Sequence, residues 1–162
     1  MMKNYIFILG LISLVSFTSC NKTNSLSKRL SGETWKVTSL LIDGEIEEED
    51  HLPEFTFDEC DIYDEVCMAE WHIEDEHAEF AWQFDEKGTI FTISNQTTAE
   101  HDHDHEEEEE EHEEEHVEPV DQCQDLSGTY DVDEMDNKVM KISSNATIGH
   151  DGVMVVIELE RV

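Results

Sequence analysis

From Glu100 to Glu118 the chain reads Glu-His-Asp-His-Asp-His, six glutamates, His, three glutamates, then His-Val-Glu: thirteen carboxylates and five imidazoles in nineteen residues. Such a segment has no apolar surface to bury, and its charges repel one another. It is therefore expected to be a long disordered acidic, His-rich insertion, spanning about residues 96–121. Any core must be assembled from the segments on either side of it.

Those flanking segments read as strands. No stretch of eleven residues or more shows a helical apolar period, whereas short alternating runs recur between turn residues. The predicted strands are Trp35 to Ile42, Phe55 to Phe57, Cys67 to Ile73, Phe80 to Phe84, Thr89 to Ser94, Thr129 to Val132, Lys138 to Ser143 and Val153 to Leu159. The turns between them include Asp43-Gly44, the acidic Glu74-Asp75-Glu76, Asp85 to Gly88, Asp136-Asn137 and Asp151-Gly152. About eight strands over residues 29–162 predict an all-β domain, a small antiparallel up-and-down barrel. The last strand is apolar on both faces and is expected to be covered on both.

The beginning of the chain has the layout of an export signal. Lys3 precedes an apolar run from Ile6 to Phe17, and Thr18-Ser19-Cys20 follows. Twelve residues fall short of the roughly twenty that span a bilayer as a helix. The small pair before Cys20 resembles the lipobox of bacterial lipoproteins, with Phe17 where Leu or Val is usual. That resemblance implies removal of residues 1–19, a lipid on Cys20 as membrane anchor, and a polar tether over residues 20–28. Asn21 after the cysteine resembles lipoproteins passed on to the bacterial outer membrane, on a face that stays open.

The formal charge is −33, and loss of Lys3 with the signal makes it −34. An anionic partner such as nucleic acid or an acidic lipid surface is disfavoured, and cations are attracted. Beyond Cys20 stand Cys60, Cys67 and Cys123, an odd number for an oxidising compartment. A turn through Asp61 to Val66 would bring Cys60 and Cys67 together as a disulfide and leave Cys123 free. Pairing of Cys123 with either of them is the alternative.

An internal echo links Leu30-Ser31-Gly32-Glu33-Thr34-Trp35 to Leu126-Ser127-Gly128-Thr129-Tyr130. The first copy, with Phe55-Thr56-Phe57 and Phe84-Asp85-Glu86-Lys87-Gly88-Thr89, resembles the bacterial lipocalin-like domain family. Its members commonly carry Leu-x-Gly-x-Trp after a lipoprotein signal and a later Phe-x-x-x-Gly-Thr turn. Here two residues separate Gly32 from Trp35 in place of one. The resemblance implies a small barrel with an apolar cavity, and Trp35 resembles the aromatic that closes the bottom of such barrels.

Two functions are expected from different features. In the first, a lipid-anchored envelope barrel holds a small apolar ligand or serves structurally, with Trp71, Phe80, Trp82 and Phe84 as candidate cavity residues. Packing in the core is the competing role for these rings. In the second, His101, His103, His105, His112 and His116, with Asp102 and Asp104, capture a divalent transition metal, Zn2+, Cu2+ or Ni2+. The spacing suits several loose sites better than one rigid tetrahedron, and the competing view is a hydrated acidic loop. His72 and His77, on either side of the acidic turn, read as a solvated hairpin tip more readily than as a further metal site. No phosphate loop, Gly-x-Ser-x-Gly or His-Glu-x-x-His motif occurs, so no catalysis and no required cofactor are expected.

Overall fold

Alternating apolar residues form each of the eight predicted strands, with boundaries shifted by up to four residues. The computed structural model describes residues 22–60, 66–97 and 118–162. Its strands are β1 (Thr34–Ile42), β2 (Glu45–Ile46), β3 (Glu54–Phe57), β4 (Cys67–Ile73), β5 (Glu76–Phe84), β6 (Ile90–Asn95), β7 (Gly128–Met135), β8 (Val139–Ala146) and β9 (Asp151–Arg161). Helix α1 (Lys22–Leu30) precedes them, and α2 (Pro119–Asp125) lies between β6 and β7.

Every pairing is antiparallel along the order β2-β1-β3-β4-β5-β6-β7-β8-β9, and β9 returns to pair with β1. Eight strands thus close an antiparallel barrel, as the patterning predicts, and closure leaves those strands no long unpaired edge. The extra strand β2 arises from the Asp43-Gly44 turn. Both residues have positive φ, +54° and +82°, as a two-residue hairpin turn requires.

Period-two alternation sends Phe55 and Phe57 of β3, Ala69 and Trp71 of β4, Phe80, Trp82 and Phe84 of β5, and Phe91 and Ile93 of β6 inward. Opposite them lie Met140 and Ile142 of β8 and Val155, Ile157 and Leu159 of β9. A register shift between Val37 and Ser39 lets both Val37 and Leu40 of β1 face the core although three positions separate them. The outer face of β9 is less covered than expected: Met154 is 50% exposed and Val156 half-buried.

The register defines two ends. At one lie the β3–β4 loop, the β5–β6 turn, the β7–β8 turn and α1; at the other lie the turns after β1, β4 and β8, together with α2. Residues 22–28 were expected in a polar tether, but they are helical. Leu26 and Leu30, four apart and so on one face, enter the core, while Lys28 and Arg29 in the last turn suit the helix dipole. The Thr23 hydroxyl donates to Asp85 O at 2.6 Å and the Arg29 guanidinium to Met135 O at 3.1 Å, fastening α1 across the first end. Helix α2 covers the second end with Cys123 buried and Leu126 just beyond it also buried.

The internal echo marks equivalent joints. In both copies a buried leucine, Leu30 as the last residue of α1 or Leu126 as the C-cap of α2, leads through Ser-Gly into a strand with a fully buried ring, Trp35 or Tyr130. Each serine hydroxyl accepts a backbone N–H from beside the adjoining strand: Ser31 Oγ from Cys60 at 2.7 Å, Ser127 Oγ from Asn95 at 2.9 Å. A Cβ on Gly128 would stand 2.8 Å from Ala146 O and 2.9 Å from Thr147 Cα, so only glycine permits β7 to start this close to the end of β8.

Candidate functional site

The residues expected to bind metal, His101, His103, His105, His112, His116, Asp102 and Asp104, lie outside the described residues, as does Cys20. Their flanks are described, and both sit at the α2 end. On the outgoing side, Gln96 N–H donates to Glu79 O at 2.8 Å, and Thr97 Oγ1 accepts Glu79 N–H at 2.8 Å. On the return side, Glu118 caps α2 with an extended backbone, Pro119 starts the helix where a missing N–H is harmless, and Glu118 O accepts Gln122 N–H at 3.0 Å. The Asn95 amide donates to Gln124 Oε1 at 3.1 Å, tying the outgoing strand to the returning helix. Residues 96–97 and 118–121, expected to belong to the insertion, are thus part of the barrel's own hydrogen-bonded frame.

Trp71, Phe80, Trp82 and Phe84 do converge, and they converge on one another. Phe80 has ring centroids of Phe55, Trp71 and Phe57 at 5.4, 5.9 and 6.1 Å, and Trp82 has Phe57, Phe91 and Phe84 at 5.3, 6.0 and 6.1 Å. These separations are those of rings in van der Waals contact, mostly edge to face. Phe84 is 7% exposed and the other three are sealed from solvent.

The indole of Trp82 donates to Met68 O at 3.0 Å, and that of Trp71 to Gln122 Oε1 at 3.0 Å. Gln122 in turn donates to His51 O at 3.0 Å, so one side chain of α2 satisfies a core indole and pins the loop after β2. Sequence reasoning missed Gln122. Its only signal is a polar residue one position before the apolar Cys123, within a helix too short to show a period.

Cys60 and Cys67 form a disulfide across the β3–β4 loop, with Cα atoms 5.6 Å apart. Cys123 is a free, buried thiol whose pKa desolvation pushes up to about 12, and burial likewise raises that of Tyr130. A thiol so held stays protonated and unreactive at neutral pH. Two turn carboxylates are shifted the other way: N–H donation from Ile90, then Thr89, holds Asp85 low, and N–H donation from Lys138 and Val139 does the same for Asp136. These are turn-stabilising groups at the α1 end, remote from the tract.

On the outer wall, His72 of β4 lies directly opposite His77 of β5, with ring centroids 5.8 Å apart, and His72 Nε2 stands 2.9 Å from Glu70 Oε2. Sequence reasoning took Glu74 to Glu76 as the turn; the true turn is Glu74-Asp75, one residue shorter, and that difference brings the two histidines into register. Beside them a surface depression of about 310 Å³ is lined by His77, Glu79, Gln96 and Thr97. Among the described residues, no three His, Cys, Asp or Glu side chains stand already converged for a metal.

The closed eight-stranded antiparallel barrel is consistent with the lipocalin-like fold that the motifs resemble. Comparison of the chain with protein-family models, with curated proteins and with solved structures returns no match.

Proposed function

We propose that the protein is an exported, non-enzymatic lipoprotein of the bacterial outer membrane, anchored through Cys20, whose barrel carries residues 100–118 as a capture tract for divalent transition metals. The observation behind this reading is the occupied interior. Eight large aromatic side chains, Trp35, Trp71, Trp82, Tyr130, Phe55, Phe57, Phe80 and Phe91, are each sealed from solvent, and a helix covers each end. Such a barrel acts through what it displays outside, and a small apolar ligand finds no support in this core.

Chemistry and position favour the tract. Neutral imidazoles suit Zn2+, Cu2+ and Ni2+, while the surrounding carboxylates concentrate cations of any kind. The tract leaves and re-enters at the α2 end, whereas α1, which follows the proposed anchor, crosses the opposite end. A lipid on Cys20 would therefore hold the acidic end away from the membrane surface.

The test is calorimetric titration of residues 21–162 with Zn2+, Cu2+, Ni2+ and Ca2+, beside a variant lacking 100–118 and one with the five tract histidines replaced by Gln. Submicromolar binding of a transition metal, about 8 kcal/mol or more, whose tract-dependent equivalents are lost in both variants and which Ca2+ does not share, supports capture. Weak binding that is indifferent to the histidines reduces the tract to a charged loop.

A further inference from the structure

We propose that His72 and His77, with Glu70, form a divalent transition-metal site on the outer wall of the barrel, separate from the acidic tract and independent of whether the tract binds. The two histidines are partners across the β4–β5 hairpin. Its two-residue turn makes Ile73 and Glu76 the hydrogen-bonded closing pair, so alternation makes the next pair, His72 and His77, non-hydrogen-bonded. That is the kind of pair in which facing side chains come closest.

The two rings stand about as far apart as two ligands of one ion. With zinc–nitrogen bonds of about 2.1 Å, each ring centroid lies roughly 3.2 Å from the metal, and a tetrahedral angle puts two centroids about 5.3 Å apart. The rings stand at 5.8 Å, tilted by 36°. Glu70 Oε2 is 2.9 Å from His72 Nε2, where a proton bridges them. A tetrahedral metal in place of that proton needs an N···O edge of about 3.4 Å. Glu70's side chain is 43% exposed and has room to swing that far. The three donors do not stand converged, so binding requires their side chains to rotate about a hairpin backbone that already pairs the two histidines.

The surroundings favour a cation. Glu54 on the neighbouring strand β3 lies opposite His72, and Glu79 on β5 itself lies opposite Glu70, so further carboxylates flank the histidine pair. The adjacent depression lined by His77 and Glu79 admits water to complete the coordination. Two imidazoles and a carboxylate select Zn2+ or Cu2+ over Ca2+ and Mg2+, which prefer all-oxygen sites. In the competing view His72 and Glu70 form an ordinary surface ion pair and His77 is solvated.

The test uses the mature chain with all five tract histidines changed to Gln, titrated with Zn2+ against a chromophoric chelator. One equivalent is expected to bind, and adding His72→Gln or His77→Gln is expected to weaken it by about tenfold or more. Zinc should also shift the ring resonances of His72 and His77 in the NMR spectrum of the parent. Both positions are on the surface, so near-ultraviolet circular dichroism of the buried indoles confirms that the variants stay folded. Identical titrations with and without these substitutions, or ring resonances that zinc leaves in place, overturn the proposal. Zinc binding that is unaffected by the five tract substitutions would instead count against the tract, leaving this site to be judged by its own two variants.

Discussion

Replacing Phe80 with alanine tests the occupied interior most directly. The ring is fully buried and touches Phe55, Trp71 and Phe57. Losing its transfer energy costs about 3 kcal/mol. A residual cavity of about 100 Å³ adds roughly 2 kcal/mol at 24 cal/mol per Å³ if the neighbours stay in place. Partial collapse lowers the sum, so a loss of about 3–5 kcal/mol is expected, a large share of the 5–15 kcal/mol that typically stabilises a domain. Urea unfolding followed by indole fluorescence measures it. The variant should also gain stability from benzene, which has the shape of the ring removed, whereas the parent should not. A cost below about 1 kcal/mol, or an equal benzene response in the parent, would mean that the barrel already holds usable space and would restore the ligand-binding reading.

Leu30→Ala should cost about 2–5 kcal/mol because the residue is fully buried; a midpoint shift worth less than about 0.5 kcal/mol would show α1 to be a tether. Gln122→Ala strands the buried indole N–H of Trp71 and frees the carbonyl of His51, and about 1–3 kcal/mol of stability should go with them. An unchanged urea midpoint would show that water replaces the amide. Asp85 has its carboxyl pKa held below 3.8 in the folded state, so its contribution is complete above that pH and is lost as pH falls through the lower folded value. Asp85→Asn, which keeps an acceptor for Thr89 and Ile90 but cannot titrate, should flatten the acid limb of the stability profile below about pH 4. An acid limb identical to the parent's would remove Asp85 from the account.

The strands were legible because one physical signal, alternation between turn residues, repeats along the chain. Phe80-Ala81-Trp82-Gln83-Phe84 declares an inner face by itself, and Asp43-Gly44 and Asp136-Asn137 announce reversals. Helix α1 was hidden because it has only two buried residues, Leu26 and Leu30, in an otherwise polar nine-residue stretch. Helix α2 was hidden by its neighbours: seven residues beginning at Pro119 were absorbed into the acidic composition before them. The aromatic residues were recognised as inward-facing, but whether inward means filled or hollow depends on ring-to-ring distances set by closure of the whole barrel. The Cys60–Cys67 bridge was legible from its short loop. His72 and His77 were legible as neighbours of one acidic turn, but their direct cross-strand register was not, because a one-residue error in turn length shifts every cross-strand partner beyond it.

Closure of the barrel also fixes when the molecule can become whole. Strand β1 is completed by β9, and the Thr38 hydroxyl reaches Glu158 O across 120 residues of chain. A chain still emerging from the ribosome has its first strand long before the partner that completes it. Pairings this remote are paid for in loop entropy before they return any contact energy, so folding is expected on the slow side, in milliseconds to seconds. Until β9 arrives, β1 keeps one flank unpaired, and the ring-bearing strands β3 to β6 form a curved sheet with its core face open. The interval before closure is therefore when the chain is most open to aggregation.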